Sequence, residues 1–269
     1  MTDGREQGRK RSAGAGGLIA RAGRRLRRLL RVDVVDGGDG VARLYAERDF
    51  LAAYSAHTDR RVAADPQEAV GGMWEEIGAL QFDFLKAQGL RPADRMLDIG
   101  CGTLRGGRHF IAFLDAERYT GLDISPAALE FGRELVAREG LTDKRPQLVL
   151  GEGKDLSFAE LGGARFDLAL AQSVFTHLPP ELIADCFAHL DDILAPGGRF
   201  FFTYHHADAF VQTGLKDFRY PLAHFQELAA RHGLRLTDLS AAYAHPRGQR
   251  MVVAERGEEA ARPEGDGLA

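Results

Sequence analysis

Three features of the 269-residue chain predict an α/β fold built on a mostly parallel sheet with helices on both faces. Short β-like apolar runs alternate with helical segments in five successive units, the pattern of a covered parallel sheet. Proline and glycine punctuate the joins: Ser125-Pro126 opens one helix, Pro179-Pro180 opens another, and Pro196-Gly197-Gly198 stops it. The last strand follows its predecessor with too little chain for a helical crossover, which makes it an antiparallel edge strand.

In order, residues 67–89 read as an amphipathic helix with Trp74, Ile77, Leu80, Phe84 and Leu85 on one side, closed by Gly89. Strands are expected at 95–99, 118–122, 147–150, 167–171 and 199–204, with helices at 106–114, 126–139 and 181–194. A helix at 221–232 and strands at 234–240 and 249–254 complete the pattern. Composition agrees with a folded domain: 45% of residues are hydrophobic and 28% charged, which excludes disorder throughout. A chain of this size buries roughly 70–75% of its unfolded surface, so it needs neither disulfides nor a structural metal. Cys101 and Cys186 form no CxxC pair and no zinc-type spacing with histidine, which points to a reducing cytoplasmic setting.

The net charge of −4 is unevenly spread. Residues 1–31 carry ten Arg/Lys against Asp3 and Glu6, so the remainder is strongly acidic and nucleic acid is not an expected partner. Within the arm, Leu18, Ala22, Leu26 and Leu29 recur at helical spacing opposite Arg21, Arg24, Arg25 and Arg28. Residues 18–31 therefore read either as a basic amphipathic helix, for weak contact with an anionic membrane or with a nucleic acid, or as a solvated extension. No secretory signal pattern and no membrane-spanning run is present in the sequence.

The most informative stretch runs from Arg95 through Leu97-Asp98-Ile99-Gly100-Cys101-Gly102 to Gly107: an apolar strand, a glycine-rich turn and a helix start. Such a turn lets backbone N–H groups approach a ligand outside the carboxyl end of a strand. Asp123 ends the next strand 21 residues after Gly102, where a carboxylate can accept hydrogen bonds from both ribose hydroxyls. A nucleoside ligand follows. A dinucleotide is disfavoured, because Arg105 replaces the third glycine of GxGxxG, and Asp98 aims negative charge where a diphosphate would sit. A cationic ligand with a ribose and no phosphate fits both acids.

These motifs resemble those of the class I S-adenosylmethionine-dependent methyltransferases. The Leu97–Gly102 run looks like their first motif, Asp123 like their ribose acid, and 150–156 like the turn that holds adenine. Residues 166–178 resemble their strand-four motif and 194–200 the turn before strand five. The resemblance spans about residues 72–254. It implies a Rossmann-like, doubly wound, three-layer α/β/α fold with seven strands, the last antiparallel, and S-adenosylmethionine as cofactor. Many members carry Gly where this chain has Leu104; the Thr103–Gly107 variant looks like that of a less characterised bacterial branch. Carried over, Asp98, Gly100 and Gly102 hold the methionine portion and Asp123 the ribose, Glu152 and Gly153 border adenine, Gln172 faces the cofactor from strand four, and Cys101 and Ile124 are expected among the cofactor-binding residues. The chain then divides into a flexible basic arm (1–40), a helical lid or substrate segment (41–94), the methyltransferase core (95–254) and a disordered acidic tail (255–269).

Methyl transfer from a sulfonium is an in-line displacement that needs alignment and desolvation rather than a protein nucleophile. For a hydroxyl or ammonium acceptor a base helps, and His177, just after strand four, is the first candidate. Tyr204, His205 and His206 at the tip of strand five are the second. Trp74, Phe175 and Tyr204 are candidates for the wall of the acceptor pocket, although for Trp74 and Phe175 packing in the core is the stronger reading. His177, Glu181, Asp185 and His189 recur every four residues, but such steps drift about 40° each around a helix, and no metal is expected. The position where metal-assisted O-methyltransferases place an acid reads Gln172-Ser173. The expected reaction is methyl transfer to an O or N atom of a small molecule. A non-catalytic S-adenosylmethionine-binding module and, less favoured, an NAD-dependent oxidoreductase stand as alternatives.

Overall fold

In a computed structural model, which describes residues 38–151 and 155–256, nine strands succeed one another. They are β1 (Met96–Ile99), β2 (Tyr119–Asp123), β3 (Gln147–Leu150), β4 (Phe166–Ala171), β5 (Leu194–Tyr204), β6 (Val211–Gln212), β7 (Phe218–Arg219), β8 (Leu234–Asp238) and β9 (Arg250–Arg256). Seven form one sheet in the order β3-β2-β1-β4-β5-β9-β8, while β6 and β7 pair as a separate short hairpin. Within the seven-stranded sheet, β9 alone runs opposite to the other six strands. The strand order reverses between β1 and β4, which both lie at the centre.

The helices are α1 (Asp39–Glu47), α2 (Phe50–Ala64), α3 (Pro66–Ala69), α4 (Trp74–Ala87), α5 (Gly107–Phe113), α6 (Pro126–Arg138), α7 (Pro180–Ala188), α8 (Leu190–Ile193) and α9 (Leu222–Arg231). Local chemistry sets their ends. Ser125 caps α6 by accepting from Ala128 N at 3.1 Å, with Pro126 at the first position.

Two hydrophobic layers sandwich the sheet, and β5 shows how. Period-two alternation sends Phe200, Phe202 and Tyr204 into the layer holding Phe175, Phe187 and Phe225, and Phe201 into the layer holding Phe84, Tyr243 and Met251.

Four expectations are corrected. The last strand is not at the edge: β9 is inserted between β5 and β8, because Met251, Val252, Val253 and Ala254 are all buried and need cover on both sides. The helix expected at 67–89 is two helices, since Gly71, Gly72 and Met73 have φ of 92°, 63° and 48°, left-handed values that break a right-handed helix. The helix expected at 181–194 breaks at His189, and β5 begins at Leu194. Glu255 and Arg256, assigned to the tail, extend β9, with Glu255 paired to Arg235 on β8 at 2.5 Å. The basic segment 18–31 and the remainder of the tail lie outside the described residues. Among the described residues no helix is long and apolar enough to cross a membrane.

Candidate active site

The tips of β1, β2, β4 and β5 open into a cavity of about 590 Å³, within the roughly 300–1,000 Å³ range of small-molecule sites. α2 and the α3–α4 link form its roof. α2 is fastened over the sheet by Ser55 Oγ donating to Ile124 O at 2.7 Å and by Ser125 Oγ donating to Asp59 at 2.6 Å.

The floor is the glycine turn after β1. Gly100 and Gly102 have φ of 69° and 55°, and a Cβ on either would come within 2.5 Å of Val174 or 2.6 Å of Val70. Only glycine leaves this floor open. Leu104, where the resembled family often has Gly, adopts φ 65° with its side chain fully buried, so burial offsets the left-handed strain.

Two buried carboxylates stand on this floor. Asp123 accepts from Gly102 N and Ser125 N, each at 2.8 Å, one on either oxygen. Burial raises its pKa, and those two bonds oppose the rise. Asp98 accepts from Tyr119 OH at 2.8 Å and is pushed up to about 7 by burial, with the charge of Asp123 adding to the effect. Two acids so close disfavour a phosphate and favour a cation, and the open glycine turn beside a strand-tip acid suits a ribose. The residues present therefore fit S-adenosylmethionine.

Cys101 and Ile124 also line the cavity, as do Gly100 and Gly102. Gln172 lines it as well, but its amide is engaged by protein: Nε2 donates to Gln249 Oε1 at 3.1 Å, and Oε1 accepts from Tyr243 OH at 2.8 Å. Glu152 and Gly153 lie outside the described residues.

On the opposite wall stand both candidate bases, His177 and His205. His177 Nδ1 lies 3.0 Å from Lys216 O and 3.1 Å from Asp217 Oδ1. Both are acceptors, so Nδ1 carries the proton and Nε2 is left with its lone pair. Burial and then Lys216 lower the pKa of His177, and Asp217 opposes them. The same hydrogen bond holds the Asp217 carboxyl down to about 2. His205 is lowered by burial first and by Arg219 next. His206 bridges to Tyr220 and is not among the residues lining the cavity.

The three expected pocket aromatics do not line the cavity. Trp74 packs edge-on against Phe131 of α6, with the Arg108 guanidinium over its ring. Phe175 stacks with Phe225 beneath the sheet, and strand alternation carries Tyr204 to that same face. Tyr54 takes the place foreseen for them, its ring 5.8 Å from that of His177.

Sequence reasoning missed Tyr54, Asp217, His245 and Gln249. The Lys216-Asp217 pair carried no motif; a charged pair in the long excursion after strand five was the one available signal. Gln249 stands just before β9, where its Oε1 accepts from Thr203 Oγ1 (2.8 Å), Ser173 Oγ (3.0 Å) and Gln172 Nε2 (3.1 Å), tying together the ends of β4, β5 and β9.

Comparisons with known proteins agree with this geometry. Residues 97–200 match a family described as Methyltransferase domain. The chain is 30% identical over 135 residues to demethylmenaquinone methyltransferase of Symbiobacterium thermophilum, covering 48% of each chain. It is 28% identical over 127 residues to erythromycin 3''-O-methyltransferase of Saccharopolyspora erythraea, covering 47% of this chain and 40% of that one. The matches thus span half or less of these curated relatives. The solved DhpI–SAH complex shares the fold, with a TM-score of 0.58 at 17% identity over 78% of this chain and 98% of that one. Residues 97–200 thus match a methyltransferase domain, carried on a sheet and glycine turn of the fold seen in the solved S-adenosylhomocysteine complex.

Proposed function

We propose that the protein transfers the methyl group of S-adenosylmethionine to an oxygen or nitrogen atom of a small molecule, with His177 as general base. The observation that carries this reading is the orientation of His177. Its Nδ1 is committed to Lys216 O and Asp217, and its ring lines the same cavity as Asp98 and Asp123. S-adenosylmethionine supplies an activated methyl group, so the protein's work is to align the acceptor, exclude water and remove one proton. His177 Nε2 takes that proton, and Asp217 stabilises the imidazolium that results. Residues 41–94 act as the lid, since α2 and the link after α3 roof the cavity. The matched relatives support the substrate class, being named for demethylmenaquinone and erythromycin. Two buried, unpaired cysteines support a cytoplasmic setting.

The test is release of S-adenosylhomocysteine across a panel of hydroxylated and aminated small molecules. His177→Ala is expected to lower kcat by roughly 10²–10⁴ with cofactor affinity unchanged. Activity falls as the pH drops and Nε2 is protonated, with the acid limb below the ordinary histidine value of about 6.5. Asp217→Asn removes the group that raises the His177 pKa, so it should slow the reaction and move that limb to still lower pH. A His177→Ala variant as active as the parent overturns the assignment of the base. A folded parent that neither binds S-adenosylmethionine nor turns over overturns the function.

A further inference from the structure

Seven described residues hold a buried polar side-chain atom with no hydrogen-bond partner, and only two of them line the cavity: Arg105 through Nε and His245 through Nε2. Both side chains are more than nine-tenths buried, at 6% and 7% exposure.

Their existing bonds show which atoms remain to be used. The hydrogen bonds of Arg105 leave from Nη1 alone, to Val70 O at 2.7 Å and Gly72 O at 3.0 Å. The Nε/Nη2 edge, whose two parallel N–H groups match the two oxygens of a carboxylate, is thereby left over. His245 Nδ1 accepts from Arg247 N at 3.2 Å, so the ring proton sits on Nε2. Burial, with Arg105 and then Arg247 close by, holds His245 neutral by lowering its pKa to about 4. Both orphans are therefore donors. A buried donor without an acceptor is destabilising, and more so when charged. On the floor beyond lies the Asp98 carboxylate, whose field reaches Arg105.

We propose that Arg105 and His245 form a carboxylate-binding corner of the cavity, the guanidinium edge taking both oxygens and His245 Nε2–H adding a third hydrogen bond. The inference rests on the cavity being the S-adenosylmethionine site. The carboxylate then has two sources: the amino-acid end of the cofactor, with Asp98 facing its ammonium, or an acid group on the methyl acceptor. Because Arg105 also holds the carbonyls of Val70 and Gly72, filling the corner fixes the roof between α3 and α4.

Calorimetric titration with S-adenosylhomocysteine and 5′-methylthioadenosine, which lacks the amino-acid end, separates the sources. It is done on the parent, Arg105→Gln and His245→Leu; the second variant leaves the bonds to Val70 and Gly72 intact should the first not fold. If the cofactor supplies the carboxylate, the parent prefers S-adenosylhomocysteine by at least about ten-fold. In the variants this preference collapses while 5′-methylthioadenosine binds as before. If the acceptor supplies it, the preference survives, but saturation-transfer signals of benzoate on the S-adenosylhomocysteine-loaded parent vanish in both variants. An unchanged preference with unchanged benzoate signals, or equal weakening of both nucleosides, overturns the corner. Benzoate binding that depends on Arg105 in a parent that ignores both nucleosides would keep the corner and remove the cofactor reading.

Discussion

The two walls of the cavity are built by different means. The cofactor wall is local: Asp98, Gly100 and Gly102 lie within five residues, and Asp123 is brought beside them by one pairing of adjacent parallel strands. The opposite wall is assembled from α2, the turn after β4, the excursion between β5 and α9, and the link before β9, giving Tyr54, His177, Asp217, His245 and Gln249. The first wall carries buried acids and the second carries histidines beside Arg105 and Arg247. A short motif suffices for the first wall because its residues are neighbours in the chain or on adjacent strands, whereas the second draws on loop segments far apart in the sequence.

That contrast predicts separable defects. The largest falls on the cofactor wall: Asp123→Ala should weaken S-adenosylhomocysteine binding roughly 100-fold, about 2.7 kcal/mol by calorimetry. It should leave any Arg105-dependent benzoate binding in place, and loss of both would show that the walls are not independent. On the assembled wall, Gln249→Ala strips the acceptor shared by Thr203, Ser173 and Gln172, and about 2 kcal/mol of stability should go in urea unfolding.

Asp98→Asn sharpens the electrostatic difference. The folded protein keeps the Asp98 proton up to about pH 7, whereas the unfolded chain releases it near 3.8, so stability falls as pH rises between those values. Asparagine has no proton to lose. The variant should melt higher than the parent at pH 8 in the absence of cofactor and close to it at pH 4, and the reverse order would show that Asp98 is stabilising as an anion. Smallest is Arg235→Ala, which breaks an exposed pair with Glu255 far from either wall and should change stability by less than about 1 kcal/mol with cofactor affinity intact.

Legibility followed the same division. The glycine turn, Asp98 and Asp123 could be placed from spacing because strand–turn–helix geometry converts sequence separation directly into position. His177 could be named as a candidate, but its tautomer depends on Lys216 O and Asp217, 39 and 40 residues away. Among the aromatics, core packing is the stronger reading for Trp74 and Phe175 and is what the fold shows; Tyr204, a candidate for the pocket, lies in the core too, since only the face of the element decides between the two. Arg105 was read as an absence, the missing glycine of a fingerprint. The fold turned it into a buried cation with one edge unspent.

What the sequence by itself determined is the alternating order of strands and helices, the parallel sheet and the cofactor turn, all of which rest on periodicity and local backbone preference. The tertiary structure decided that β9 lies inside the sheet rather than at its edge, which aromatics stay in the core, and which donors are left without partners. Those outcomes depend on contacts between residues distant in the chain, where burial and hydrogen-bond satisfaction, rather than local propensity, select the arrangement.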